Sequence, residues 1–191
     1  MEEKMFKATQ VIQNLGMIMF PMNRVGHRMI AIDELVIIYG GYTFPGNGYD
    51  ELWIYDCTRQ KWRLFTLPDL LKDTCKNSSI CANGSKIYIF GAPDMFGPQD
   101  IQNTLFAFDV RTLMWMDLFK ELKNSEHRPP NMKTSNVMYD GESIYILGID
   151  MDDVGVMYKF CLKKFLLSVI THVGDLRHPD YPGHCTLFKK R

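Results

Sequence analysis

No run of about 20 apolar residues, the length a membrane-spanning helix needs, occurs in the 191-residue chain. The opening MEEKMFKATQ has no basic region followed by an apolar core, so it makes a poor secretory signal and no membrane partner is expected. Neither sign of charge is in excess: 22 Lys and Arg stand against 22 Asp and Glu, for a formal net charge of +0. No global field therefore draws the chain to nucleic acid or anionic lipid, and binding should be local and shape-dependent. The five cysteines, Cys57, Cys75, Cys81, Cys161 and Cys185, are odd in number and form no CxxC pair. They read as reduced thiols of a cytoplasmic or nuclear protein. A Gly-rich phosphate loop, a Ser/His/Asp order and paired catalytic carboxylates are missing too, so neither enzymatic activity nor a cofactor is expected.

What the chain does have is apolar and aromatic material, 46% and 13% of its residues, enough for a buried core in one domain. The stretch from Gly26 to Leu67 organises it. GHRMIAI, the turn DE, LVIIYGGY, a loop, DELWIYD and CTRQKWRLFTL give three apolar runs and a shorter one carrying Trp62, separated by turn residues at hairpin-like intervals. That pattern predicts a four-stranded antiparallel meander, with strands near 26–32, 35–41, 50–56 and 61–66. Gly40 and Gly41 close the second strand, where the chain needs positive φ or a close backbone approach. Tyr55 and Trp62 stand where large aromatics fill the space between neighbouring units.

The unit recurs twice, with decay. NSSICA, NGS, KIYIFGA, a long loop, TLFAFDV and RTLMWMDL repeat it: Gly91 matches Gly40, Phe108 matches Tyr55, and Trp115 lies six residues past Asp109 as Trp62 lies six past Asp56. TSNVMY, DGE, SIYILGI, DMDDVG, VMYKFCL and KKFLLSVI repeat it again, with Gly148 kept, Ile149 in place of the second glycine and Leu167 in place of the tryptophan. Glycine-to-glycine spacings near roughly 50 residues are those of a propeller array. The reading is therefore all-β, with about three complete four-stranded blades over 25–67, 76–119 and 133–171. Ahead of them, residues 1–21 form an N-terminal segment; within it 9–20 is open to a short helix in its first half but reads as an outer blade strand. The closing PGHCTLFKKR restarts the pattern over 183–191, where Gly183-His184 mirrors Gly26-His27. Three blades and two stray strands make an incomplete ring, since propellers use about 4–8 blades. The expectation is a truncated product, or assembly with another chain, with uncapped ends that make the isolated chain self-associate.

The diglycine, the following aromatic strand WIYD and the tryptophan beyond it resemble the kelch-repeat family, in which the first strand of each repeat lies innermost and the fourth outermost. RVGHRMIAI, KIYIFGAPDMFGPQDIQNTLFAFD, YDGESIYILG and PGHCTLF extend the resemblance over most of residues 22–188. They are similar to segments of kelch receptors that serve cullin-RING ubiquitin ligases. The resemblance implies a substrate-recognition subunit that binds a peptide or protein on the propeller, with elongin and cullin as partners if a longer product exists. No cullin-recruiting box occurs in this chain, which leaves a kelch scaffold or truncated paralogue in signalling or cytoskeletal organisation as the alternative.

Other clusters have plainer explanations. His172, His178, His184 and Cys185 match no common zinc spacing. Asp150, Asp152 and Asp153 lack the central glycine and terminal glutamate of a calcium loop and read as solvated carboxylates. No metal is expected. Arg24, Arg28, Arg128, Lys133 and Arg177 precede or open inner strands, and so crowd toward the central opening where a guanidinium can clamp a carboxylate. They are the candidate partner-binding residues, led by Arg28, against the simpler role of solvated rim charges.

Overall fold

A computed structural model of the chain describes residues 5–11, 20–44, 46–72, 74–93, 101–122 and 128–171. After a short strand, β1 (Met5–Lys7), come β2 (Arg28–Ile32), β3 (Leu35–Tyr39), β4 (Leu52–Asp56) and β5 (Lys61–Phe65), paired in that order into one antiparallel sheet. One helical turn, α1 (Asp69–Lys72), leads to the second sheet of β6 (Asn77–Asn83), β7 (Lys86–Ala92), β8 (Thr104–Asp109) and β9 (Met114–Asp117). The third is β10 (Met132–Tyr139), β11 (Ser143–Asp150), β12 (Gly155–Cys161) and β13 (Leu166–Val169). These are three four-stranded blades, and the described chain is all-β apart from α1.

Period-two alternation decides which neighbour each side chain meets. From blade one, Ile37, Tyr39, Leu52, Ile54 and Phe65 join Ile87, Ile89, Phe106, Phe108 and Trp115 of blade two in a single buried cluster. The opposite face of blade two sends Tyr88, Phe90, Leu105 and Ala107 against Val137, Ile144, Ile146, Tyr158, Phe160 and Leu167 of blade three. Blade two is thus covered on both faces. That is why KIYIF and TLFAF read as unbroken apolar runs, with no polar alternation.

Of the four aromatics expected between blades, Phe108 and Trp115 are fully buried while Tyr55 and Trp62 are only half-buried. The reason is positional: this register face of each blade covers the preceding blade, and among the described residues none precedes blade one. Trp62 instead packs on its own sheet, tilted on Tyr55 at 4.8 Å and edge-on to Trp53 at 6.3 Å.

The glycines behave as two kinds. Gly40 and Gly41 sit at φ +62° and +91° and end β3, and a Cβ on Gly40 would lie 2.7 Å from the Cys75 carbonyl oxygen. In blades two and three, Ala92 and Ile149 replace the second glycine, and β7 and β11 continue to Ala92 and Asp150. Gly91 has ordinary φ but no room, since a Cβ would lie 2.1 Å from Thr74 Oγ1. Gly148 lies within β11 opposite Ser135.

Each turn from third to fourth strand holds one residue in the left-handed region: Gln60 at φ +53°, Leu113 at +59° and Phe165 at +51°. Asp56 and Asp109 steady two of these turns by accepting the main-chain N–H groups of Arg59, and of Arg111 and Thr112. The main-chain N–H and the guanidinium of Arg59 hold the Asp56 carboxyl below its ordinary value.

The outer edges of two blades share one cover. β1 pairs with β9, Met5 opposite Met116, and Gln10 bridges Phe65 of β5. Ala8 donates to the Leu113 carbonyl at 2.8 Å and Val11 to that of Leu64 at 2.9 Å. The outer strand read over 9–20 falls largely outside the described residues, as does the repeat start at 183–191.

Candidate protein-interaction face

The hairpins give the stack two unlike ends. Tight turns at 33–34, 84–85 and 140–142, with those from third to fourth strands, occupy one end. At the other lie the β3–β4, β7–β8 and β11–β12 loops, both connections between blades, and the first residues of the inner strands β2, β6 and β10. Recognition residues concentrate on loops held by a rigid scaffold, so the loop end is the candidate face.

Arg28, the first residue of β2, is half-buried there, and its Nε donates to the Ser78 carbonyl of the adjacent inner strand β6. Burial pushes its guanidinium below the ordinary value, and Tyr42 opposes that shift. Tyr42 in turn forms a bridge with Val25, 51% exposed, while Phe44 in the β3–β4 loop is 98% exposed. Loop carbonyls and hydroxyls line the same end: Ser78 Oγ donates to Cys75 O, and Ser79 Oγ lies 3.5 Å from Ser135 Oγ between inner strands of blades two and three.

The other candidates differ. The Arg24 side chain is 4% exposed and fully engaged, donating to Met22 O, Gly40 O at 3.1 Å and Glu51 Oε2 at 2.7 Å, with Tyr49 beneath it at 4.1 Å. Arg128 lies in the connection between blades two and three, half-buried over the Phe119 ring, donating to Gln102 Oε1 and Phe119 O. Lys133 stands at a β-bulge in β10, where pairing shifts between Met132 and Thr134. Arg177 lies outside the described residues. Arg24 and Arg28 therefore flank blade one while Arg128 belongs to the outer side of blade two. Sequence reasoning missed Phe44 and Glu51; an aromatic before Pro-Gly in a loop was the available signal for Phe44.

Asp150 Oδ1 accepts the N–H groups of Asp152 and Val154, so this carboxylate shapes its own loop. Among the described residues no group of three His, Cys, Asp or Glu is placed to hold a metal ion, and the His172, His178, His184 and Cys185 cluster lies outside them. Cys57, Cys75, Cys81 and Cys161 are thiols outside any disulfide, and burial pushes the Cys81 thiol up to about 12, which makes it a poor nucleophile. No helix among the described residues is long and apolar enough to cross a membrane.

The "KLHDC2/KLHL20/DRC7 Kelch-repeats domain" model matches residues 7–191. Host cell factor of Drosophila melanogaster is 28% identical over 131 residues, covering 67% of this chain and 8% of that protein. Human kelch domain-containing protein 1 is 29% identical over 133 residues, covering 65% and 32%. The tRNA wybutosine-synthesizing protein 4 of Candida albicans is 22% identical over 173 residues, covering 83% and 24%. The chain thus spans less than a third of the length of each of these relatives. With three phased blades, inner strands leading each repeat and a family match over nearly its whole length, the chain belongs to the kelch-repeat family.

Proposed function

We propose that the chain is a protein-interaction module that holds a short peptide or protein segment at its loop end and catalyses no reaction. One observation carries this reading: the loop end presents Phe44 and Val25 to solvent and holds a half-buried arginine, Arg28, at the start of its inner strand. Arginine is among the residue types enriched in binding hot spots, and an exposed aromatic at the same end adds apolar area for a partner to cover. The guanidinium keeps donors that can meet a carboxylate or a main-chain carbonyl. The finer assignment, a substrate receptor of a cullin-RING ubiquitin ligase, draws support from the resemblance of the GHR, FG-loop and DGESIYILG segments to kelch domain-containing protein ten.

Two measurements test these levels separately. For a peptide selected from a random library on the full chain, Phe44→Ala is expected to weaken binding at the loop end by at least about 1 kcal/mol, roughly fivefold. Arg28→Ala is expected to cost about 1.5–3 kcal/mol. Unchanged dissociation constants in both variants return these residues to the rim. Co-purification of elongin and cullin from cells supports the ligase assignment, and their absence leaves the scaffold reading.

A further inference from the structure

Two buried side-chain atoms among the described residues have no hydrogen-bond partner: Trp115 Nε1 and Asn103 Oδ1. Such atoms are costly and uncommon enough to need a cause. Trp115 is locked in β9 by Phe108, 4.5 Å away, and by Phe106 edge-on, and its indole nitrogen can only donate. Asn103 uses its amide nitrogen on the carbonyls of Pro129 and Pro130, which fixes the amide orientation and leaves the oxygen open as an acceptor.

Both residues line a trough made of three cavities that adjoin through shared wall residues on the outer side of blade two. A cavity of about 600 Å³ lies between β1, the β5–α1 connection and β9, with Phe106, Leu67 and Trp115 in its walls. It joins a second of about 440 Å³ through Asp69, Leu70 and Asp117. That one joins a third of about 590 Å³ through Gln102, Asn103 and Arg128. This row of cavities thus has one buried orphan donor and one buried orphan acceptor at separate points in mixed walls that also carry Asp69, Asp117 and Arg128. A compact ligand does not match this layout. A main chain in extended form does, because it presents carbonyl acceptors and N–H donors in alternation along its length.

We propose that this trough is a second binding site that takes an extended peptide segment, one carbonyl accepting from Trp115 Nε1 and one N–H donating to Asn103 Oδ1. The wall covering the indole includes Met5–Ala8, of which Met5–Lys7 are exposed and joined to β9 through three residue pairs, so opening it costs little of the core. Arg128, in the connection between blades two and three, lines this trough with Gln102 and Asn103.

The test uses the full chain with Trp53→Phe and Trp62→Phe, which leaves Trp115 as its one indole. Dodecapeptides selected from a random library are titrated against ¹⁵N-labelled protein. Expected is a class of peptides that shifts the Trp115 indole N–H downfield and is unaffected by Phe44→Ala. For that class, Trp115→Phe in the otherwise natural sequence should weaken binding about fivefold. An N-methyl scan of the peptide should find one position where removing the N–H costs tenfold or more. The proposal is overturned if no library peptide moves the Trp115 indole, or if those that do tolerate both Trp115→Phe and every N-methylation. If Phe44→Ala and Arg28→Ala leave the binding of every library peptide unchanged, the loop-end reading falls and the trough stands.

Discussion

Blade one and blade two carry the same pattern, yet Tyr55 and Trp62 are half-buried where Phe108 and Trp115 see no solvent. The pairs are equivalent in register: Tyr55 lies opposite Trp62 across β4 and β5, and Phe108 opposite Trp115 across β8 and β9. The repeat therefore fixes which face an aromatic takes, while the neighbour fixes how much that aromatic contributes. Blade three confirms the rule with different side chains, since Phe160 and Leu167 occupy the same places and are 0% and 2% exposed against blade two.

The strongest way to break the comparison is truncation. Trp115→Ala should lower unfolding free energy by about 3–5 kcal/mol. Trp62→Ala, already half in water, should cost no more than about 1–2 kcal/mol. Urea denaturation measures both, and equal losses would mean that blade one's outer face is covered in solution. The two kinds of glycine give the next contrast. Gly40→Ala combines a left-handed backbone with a main-chain clash and should cost about 2–4 kcal/mol, whatever is done to neighbouring side chains. Gly91→Ala should cost about 1–3 kcal/mol and be partly rescued by Thr74→Gly, because the obstruction there is a side chain. The smallest effect concerns the left-handed turns. Gln60→Gly relieves an exposed strained residue and should stabilise by about 0.5–1 kcal/mol. Leu113→Gly at the equivalent turn should destabilise, since Leu113 also packs against the core. A stabilising Leu113→Gly would show that strain outweighs packing in blade two.

The strand set was legible because each strand carries its own apolar run and the units are phased by Gly40, Gly91 and Gly148. The substantial burial expected of Tyr55 and Trp62 is only half reached, because burial belongs to a pair of blades and one sequence window contains only one of them. The left-handed Leu113 and Phe165 left no local trace, as neither residue type favours that backbone; only their common distance from the end of the third strand relates them to Gln60. Arg24 and Arg28 stand ahead of and at the start of β2, but a guanidinium bonded to Glu51 and one bonded to a main-chain carbonyl look alike in sequence. What separates Arg24 from Arg28 is a carboxylate 27 positions away. The trough could not be read at all, since it depends on an oxygen left over after Asn103 has bonded two proline carbonyls.

The shared outer cover has a consequence for how the chain acquires its shape. Met5 waits for Met116, so this segment leaves the ribosome roughly 110 residues before its partner strand. At about 5–20 residues per second that delay is on the order of 5–20 s. During it Phe6 and its neighbours remain unmatched, while the hairpins of blade one can form within microseconds. Closure of this long-range contact is therefore a late event, and the edges of β5 and then β9 stay open to unwanted pairing until it occurs.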